Sequence, residues 1–391
     1  MRILFVPNAG AVVPHLVPLL ALDSRHVPRA YESAFLIPSR FHASLKQLGR
    51  QVLDIDYRAE TAFRDEMAAC GQFQPDVIVD DFSMVTLLTS SVAEVPRVTI
   101  ARTGAFPGSC RGSNDRHSCE SIGRFDFDMN FRDCELFCGV PTPRTFADVC
   151  AASASIIPGI PSIETLPSAV AHHQNFFYAG SLGVADDMIP GLGEYADDSS
   201  AQALSFIDRH RDREIAFVTL GSVLAPSNSI CSAVLHMLDA GIAVVSTVRM
   251  TDLSAAQSEL FYHAPFVQMD AVCSRASLMV HHCGSGTYQY AIAHGLPAIC
   301  IGSGFYDRDD VAHRLDELGV AKFIPVTADG NEFMSSFCEA LGRCRDRSSR
   351  WCVEALRTLA LLKSENERAS GSFDLEAVLQ RSIELREYAN T

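Results

Sequence analysis

The chain has 391 residues, 48% of them hydrophobic, which is enough for two ordinary domains with complete cores. A formal net charge of -15, with no lysine- or arginine-rich run to offset it, excludes nucleic acid as a partner because a phosphate backbone would be repelled. The 13 cysteines form neither a CxxC pair nor a dense framework, so they read as reduced thiols of a soluble cytoplasmic protein.

The start, MRILFVPNAG, enters a strand at once and lacks the layout of a signal peptide. RILFVP (2–7) is that strand, and a helix carrying Leu16, Leu19, Leu20 and Leu22 follows. SAFLIPS (33–39), PDVIVDDF (75–82) and PRVTIAR (96–102) read as further strands. From Thr103 to about Pro158 the signals are irregular; NFFYAGSL (175–182) restores a strand. GVADDMIPGLGEYADDSS (183–200), rich in Gly, Pro and acids, reads as a linker.

A second alternating series follows, with strands at EIAFVTLGS (214–222), GIAVVSTV (241–248), PFVQM (265–269), SLMVHH (277–282) and PAICIGS (297–303). DVAHRLDELG (310–319) is a helix ending at Gly319, and the tail from Ser349 is helical with one break near 370–372. No apolar run approaches the roughly 20 residues of a membrane span. The pattern predicts an α/β protein of two doubly wound parallel-sheet domains, 1–182 and 201–370, with a cleft between them and a last segment, 371–391. Ligands of such sheets sit at the carboxyl ends of the strands.

Three turns leave strands of the second domain at that edge: TLGSV (219–223), HCGSGT (282–287) and GFYDRDD (304–310). In HCGSGT the glycines permit close backbone approach and the amides of Ser285 to Thr287 open a helix, which is the layout of an anion site. GxGxxG is lacking, which argues against a dinucleotide dehydrogenase. In the first domain His15 stands at the start of the helix after the first strand, where an imidazole can take a proton near neutral pH. Asp80 and Asp81 end a strand at the same edge, with no His or Cys nearby in sequence to complete a metal site. DID (54–56) and DFD (126–128) resemble the metal motif of a different transferase fold, but isolated acid pairs of this kind are common on surfaces and both are discounted.

The stretch from PFVQMDAVCSRASLMVHHCGSGT through GLPAICIGSGFYDRDDVAHRLDELG resembles the donor-binding region of family 1 nucleotide-sugar glycosyltransferases, which have the GT-B fold. Strong similarity covers about residues 260 to 320, and NAGAVVPHLVPLLAL (8–22) resembles the same family's G-H-V-x-P segment, with Pro14 where Gly is usual. The resemblance implies two Rossmann-like domains facing a central cleft, with the last helix crossing back to the first domain. It implies that His282, Gly284, Ser285, Gly286 and Thr287 hold a diphosphate, that Ser222 adds a hydroxyl, and that Asp307 accepts hydrogen bonds from the sugar. Phe266 falls where the family often has a tryptophan that stacks on the base; burial as ordinary core is the other reading.

The same resemblance makes His15 the general base and Asp81 its orienting carboxylate, with Asp80 a neighbour or helix cap. Three positions depart from the family. Cys283 replaces the commoner glycine, as in its plant branch, and is not expected to act as a nucleophile. Tyr290 stands where a glutamate usually takes both hydroxyls of a ribose; a tyrosine cannot, which leaves a dTDP-sugar, a shifted ribose partner, or plain packing of an aromatic on the core face of the helix, with dTDP favoured. Arg308 replaces a frequent glutamine and can donate to sugar oxygens or pair with the diphosphate.

The expected activity is inverting transfer of a sugar from a dTDP- or UDP-sugar to a hydroxyl of a small, largely apolar acceptor, with no cofactor and no metal. Phe106, Phe125, Phe127, Phe131 and Phe137 could wall the acceptor pocket or be ordinary core. The alternatives are a non-catalytic nucleotide-sugar-binding or auxiliary protein, and a sugar-nucleotide epimerase of the same architecture.

Overall fold

The computed structural model describes residues 1–8, 12–56, 59–106, 154–168, 170, 175–183, 193–221, 227–325 and 330–389. They fall into two compact units, one containing the described residues before 184 together with 366–389, the other containing 193–365. Among the described residues, no helix is long and apolar enough to cross a membrane.

The first unit contains β1 (Arg2–Pro7), α1 (Val12–His26), β2 (Glu32–Ile37), α2 (His42–Gln47), β3 (Gln51–Asp54) and α3 (Ala59–Phe73). β4 (Val77–Asp81), α4 (Met84–Val92), β5 (Arg97–Ile100), β6 (Ala154–Ile157) and β7 (Phe176–Tyr178) complete its sheet. The seven strands are parallel in the order β3-β2-β1-β4-β5-β6-β7. Both faces of the central strands are covered, so they read as unbroken apolar runs. Side chains nevertheless alternate between two cores: Ile3, Phe5, Val77, Val79, Val98 and Ile100 face one, while Leu4, Val6 and Ile78 face the other.

The second unit opens with α5 (Gly193–Arg209), β8 (Ile215–Thr219), α6 (Asn228–Asp239), β9 (Ala243–Ser246), α7 (Ala255–Glu259) and β10 (Phe261–His263). It continues with α8 (Met269–Cys273), β11 (Leu278–His281), α9 (Thr287–Ala293), β12 (Ala298–Ile301), α10 (Tyr306–Glu317), β13 (Ala321–Ile324) and α11 (Gly330–Arg345). Its six strands are also parallel, in the order β10-β9-β8-β11-β12-β13. The chain ends in α12 (Arg350–Ser372) and α13 (Leu375–Ala389). In α13, Leu375, Val378 and Leu379 are buried in the first unit's core, and Ser382 Oγ donates to the Arg97 carbonyl at 3.3 Å.

The structure departs from the sequence reading in four places. PFVQM is not a strand: Pro265 lacks an amide to donate, Phe266 is 42% exposed, and the edge position beside β9 is taken by β10, earlier in the chain. β6 (ASII) lies inside the stretch read as irregular, and β3 (QVLD) and β13 (AKFI) were not foreseen; each offers two adjacent large apolar residues and no longer apolar run. α5 begins at Gly193, inside the stretch read as a linker, because its first two turns carry no apolar pattern and its buried anchors, Ala203, Phe206 and Ile207, come later. The break between the last two helices falls at 373–374, and the first unit resumes at Asn366 rather than 371.

Candidate active site

Alternation along β4 sends its two terminal aspartates to opposite faces. Asp81 shares the face of Val77 and Val79, which is covered by α1 and α13. There His15 Nδ1 lies 3.0 Å from Asp81 Oδ2, and Arg102 Nη2 donates to Asp81 Oδ1 at 3.1 Å and Oδ2 at 3.3 Å. The Asp81 side chain is fully buried and that of His15 is 22% exposed. A carboxylate only accepts hydrogen bonds, so the neutral imidazole carries its proton on Nδ1 and keeps the Nε2 lone pair free of Asp81. Phe82, just past Asp81, has φ 54°, and Asn8 Nδ2 donates to its carbonyl at 2.6 Å. A left-handed φ is uncommon for a bulky residue, and this turn is therefore specified by its surroundings.

Asp80 points to the other face and is fully paired. Arg97 Nε donates to its Oδ2 at 2.5 Å, and Thr99 Oγ1 and the Ser83 amide donate to its Oδ1 at 2.8 and 2.9 Å. Ser83 in turn caps α4 through the Thr86 amide. Glu66, on α3, borders this network. Burial pushes its carboxyl up to about 8, against opposing hydrogen bonds from Thr89 and Thr86. Between the ordinary 4.5 and about 8 the folded chain holds the extra proton, so this contribution to stability is complete below 4.5 and lost as pH rises through 8. Glu66→Gln is therefore expected to gain stability over the native chain progressively from about pH 5 to 8, read as thermal unfolding midpoints. A constant difference across that range would contradict the assignment.

In the second unit, β8 and β11 are adjacent, and the turns that leave them meet at His282. Its ring is 3% exposed and cradled by two glycines. A Cβ on Gly221 (φ 63°) would lie 2.7 Å from His282 Cε1, and one on Gly284 would lie 3.1 Å from Nε2. One ring nitrogen bonds the backbone of Thr219, while Nδ1 has no partner among the described residues. Burial, the nearby Arg308 charge and His281 push His282 down to about 3, so the ring is neutral. Arg308 stacks its guanidinium 4.9 Å from the centroid of Phe305 and buries Nη1 without a partner among the described residues. A buried, unsatisfied cationic donor beside a neutral imidazole is a local demand for an anion.

The turn itself differs in detail from expectation. The Thr287 amide is occupied by the Gly284 carbonyl at 2.7 Å, whereas the Ser285 and Gly286 amides bond nothing among the described residues. Phe266 is too exposed for core and presents its ring at the surface. Asp307 opens α10, and Asp309, which sequence reasoning passed over, holds the preceding turn by accepting from the Ser303 and Gly304 amides at 2.8 and 3.0 Å. Ser222 lies outside the described residues, as do Phe125, Phe127, Phe131 and Phe137. Phe106 is 5% exposed and packs edge-on against Phe176, which makes it core.

Beneath this turn the ligand atoms of His281, Cys283 and Cys300 lie within 4.8 Å of one another, all buried. The Cys283 amide donates to His281 Nδ1 at 3.0 Å, so the neutral ring carries its proton on Nε2, 3.9 Å from Cys300 Sγ. A protonated nitrogen is not a metal ligand, and the trio is a hydrogen-bonded floor to the turn. Burial pushes the Cys283 thiol up, which with 1% exposure removes it as a nucleophile. Cys283 itself has φ 57°, the same left-handed turn that Phe82 makes after β4.

The architecture is matched along its whole length by solved structures. The glycotransferase of kitacinnamycin covers 98% of this chain and 99% of its own, with a TM-score of 0.69 at 16% identity. A Medicago truncatula protein complexed with UDP-glucose covers 100% of this chain and 98% of its own, with a TM-score of 0.70 at 14% identity. The fold is GT-B. The glycosyltransferase SnogD of Streptomyces nogalater has the same arrangement, with a TM-score of 0.58 at 17% identity over 97% of this chain and 99% of its own. Among curated proteins, aclacinomycin-T 2-deoxy-L-fucose transferase of Streptomyces galilaeus is 29% identical over 97 residues, a match that spans 25% of this chain and 22% of that protein. No family model matches the sequence. Within each unit taken by itself, His15–Asp81–Arg102 in the first and His282–Arg308 in the second, the constellation lies at the carboxyl ends of that unit's own parallel strands, the edge at which open α/β sheets bind ligands.

Proposed function

We propose that the chain is an inverting glycosyltransferase that moves a sugar from a nucleoside diphosphate to a hydroxyl of a small, largely apolar acceptor. The observation that carries the reading is the 3.0 Å contact between His15 Nδ1 and the buried Asp81 carboxylate, which leaves Nε2 as a base. His15 Nε2 takes the acceptor's proton, the freed oxygen attacks the anomeric carbon, and the diphosphate departs from the opposite face. Asp81 orients the imidazole and stabilises it once protonated.

Donor recognition is assigned to the second unit. Arg308 and the Ser285 and Gly286 amides supply positive charge and donors to the diphosphate, and the Thr287 hydroxyl adds another. The diphosphate's own charge favours a proton on His282 Nδ1, which then donates to a phosphate oxygen. Ser222 completes this set. Asp307 accepts from sugar hydroxyls, and the exposed ring of Phe266 stacks on the base. The reaction needs no metal on this reading, because the leaving charge is met by the guanidinium and the turn.

Tyr290 in place of the family's glutamate favours a deoxyribose nucleotide, since one hydroxyl cannot engage a cis-diol at both ends. Calorimetric titration with UDP and dTDP in parallel, without added metal, tests the donor half. Binding of either supports the site, and tighter dTDP binding supports the Tyr290 argument. Tighter UDP binding overturns that argument alone, and binding of neither overturns the donor assignment.

A further inference from the structure

We infer that Arg102 is a positioning residue of the base: by sharing the Asp81 carboxylate with His15, it limits how strongly that carboxylate holds a proton on the imidazole. The inference rests on the reading of His15 as the base. A fully buried carboxylate 3.0 Å from an imidazole favours the protonated ring, and it favours it more when no other cation shares the carboxylate. Here the guanidinium stands 3.1 and 3.3 Å from the two carboxylate oxygens, so the charge of Asp81 is balanced before His15 takes any proton. The imidazole is still oriented by its hydrogen bond, and the proton it accepts from substrate can be released again.

Arg102 is built to stay there. It lies two residues beyond Ile100, on the face that Val98, Ile100 and Asp81 share, and is 8% exposed. Its carbonyl accepts from the Ala105 amide at 2.9 Å, closing a short helical turn over Thr103–Ala105. Thr103 Oγ1 anchors that turn on buried Glu164 at 2.6 Å. The other side of β4 offers an internal comparison: Asp80 and Arg97 form a buried pair whose titratable neighbour is a carboxyl, Glu66, and not an imidazole. Only the Asp81 pair has a histidine on it.

Among the described residues the other charges on the elements around His15 are engaged elsewhere: on α13, Glu376 accepts from Tyr31, Arg381 pairs with Glu384, and Arg386 bonds the Ser90 and Val95 carbonyls. Asp80 is turned to Arg97 and Glu164 to Thr103. On α1, Asp23 pairs with Arg50 and Ser33, and Arg25 bonds the Gly183 carbonyl. His26, near the end of α1, packs against Phe373.

The test compares Arg102→Gln and Arg102→Lys with the native chain, using the pH profile of kcat/KM between about pH 5 and 9 and, independently of substrate, NMR titration of the His15 ring. Arg102→Gln is expected to move both the acidic limb and the His15 titration upward by about one pH unit, the effect of removing one close charge. Arg102→Lys, which keeps the charge, is expected to return both most of the way. A merely structural role would lower the amplitude and leave both midpoints in place, and that result, or an unmoved His15 titration in both variants, overturns the inference. If the native chain transfers no sugar, the base reading fails on its own, while the NMR titration still decides whether Arg102 governs His15.

Discussion

Replacing His15 by alanine is expected to lower kcat for sugar transfer by about 10²- to 10⁴-fold, the usual worth of a positioned general base. The buried Asp81 carboxylate keeps both hydrogen bonds from Arg102 when His15 is removed, so the variant should fold and bind UDP or dTDP as the native chain does. That combination separates chemistry from structure. Loss of turnover with donor binding intact places His15 in the reaction. Turnover within a few fold of native would mean that another group accepts the proton, and the non-catalytic and epimerase readings would then have to be tested with donor alone.

The largest expected loss of stability comes from one methyl group. Gly180 has φ 64°, and a Cβ there would lie 2.2 Å from Ser370 Oγ and 2.9 Å from both the Asn366 carbonyl oxygen and the Ser370 amide nitrogen. The hydroxyl can rotate away, but the helix backbone cannot. Left-handed strain and overpacking together predict that Gly180→Ala costs about 2–5 kcal/mol. Gly295→Ala is the control: its φ is also 64°, but nothing lies within 4 Å of the new Cβ, so strain alone, about 1–2 kcal/mol, is expected. Thermal or urea unfolding of both variants reads the difference. Equal losses would mean that α12 yields at Gly180 and the contact is not tight.

Why one aspartate of the pair at 80–81 meets the histidine was open in the sequence. Alternation puts the two on opposite faces of β4, but which face carries α1 follows only from sheet order and crossover, and the family resemblance supplied that choice. Arg102 was written in the sequence as the residue after a strand, with nothing to mark it. Its partner is 21 positions away, and the contact exists because β4 and β5 pair in register and both chains leave the sheet on the same side. The glycine turns of the second unit were legible as turns. That Gly221 and Gly284 exist to make room for one imidazole was not, since a cradle is a property of two strands at once. Apolar runs that fill both faces of a sheet were readable; β3, β6 and β13, with two adjacent large apolar residues each, and the polar start of α5 were not, because none carries a run or a repeat long enough to show.

The return of α13 to the first unit has a consequence for how the protein is made. On the ribosome every residue of the second unit is synthesised before Leu375, Val378 and Leu379 exist. Of the two units the one begun first is thus completed second, and until α13 has been made its sheet lacks the helix that covers Val79, Val98, Ile100 and Ile156. A nascent chain arrested near residue 365 would carry a closable second unit and an open apolar face on the first, the kind of surface that chaperones retain and that aggregation exploits.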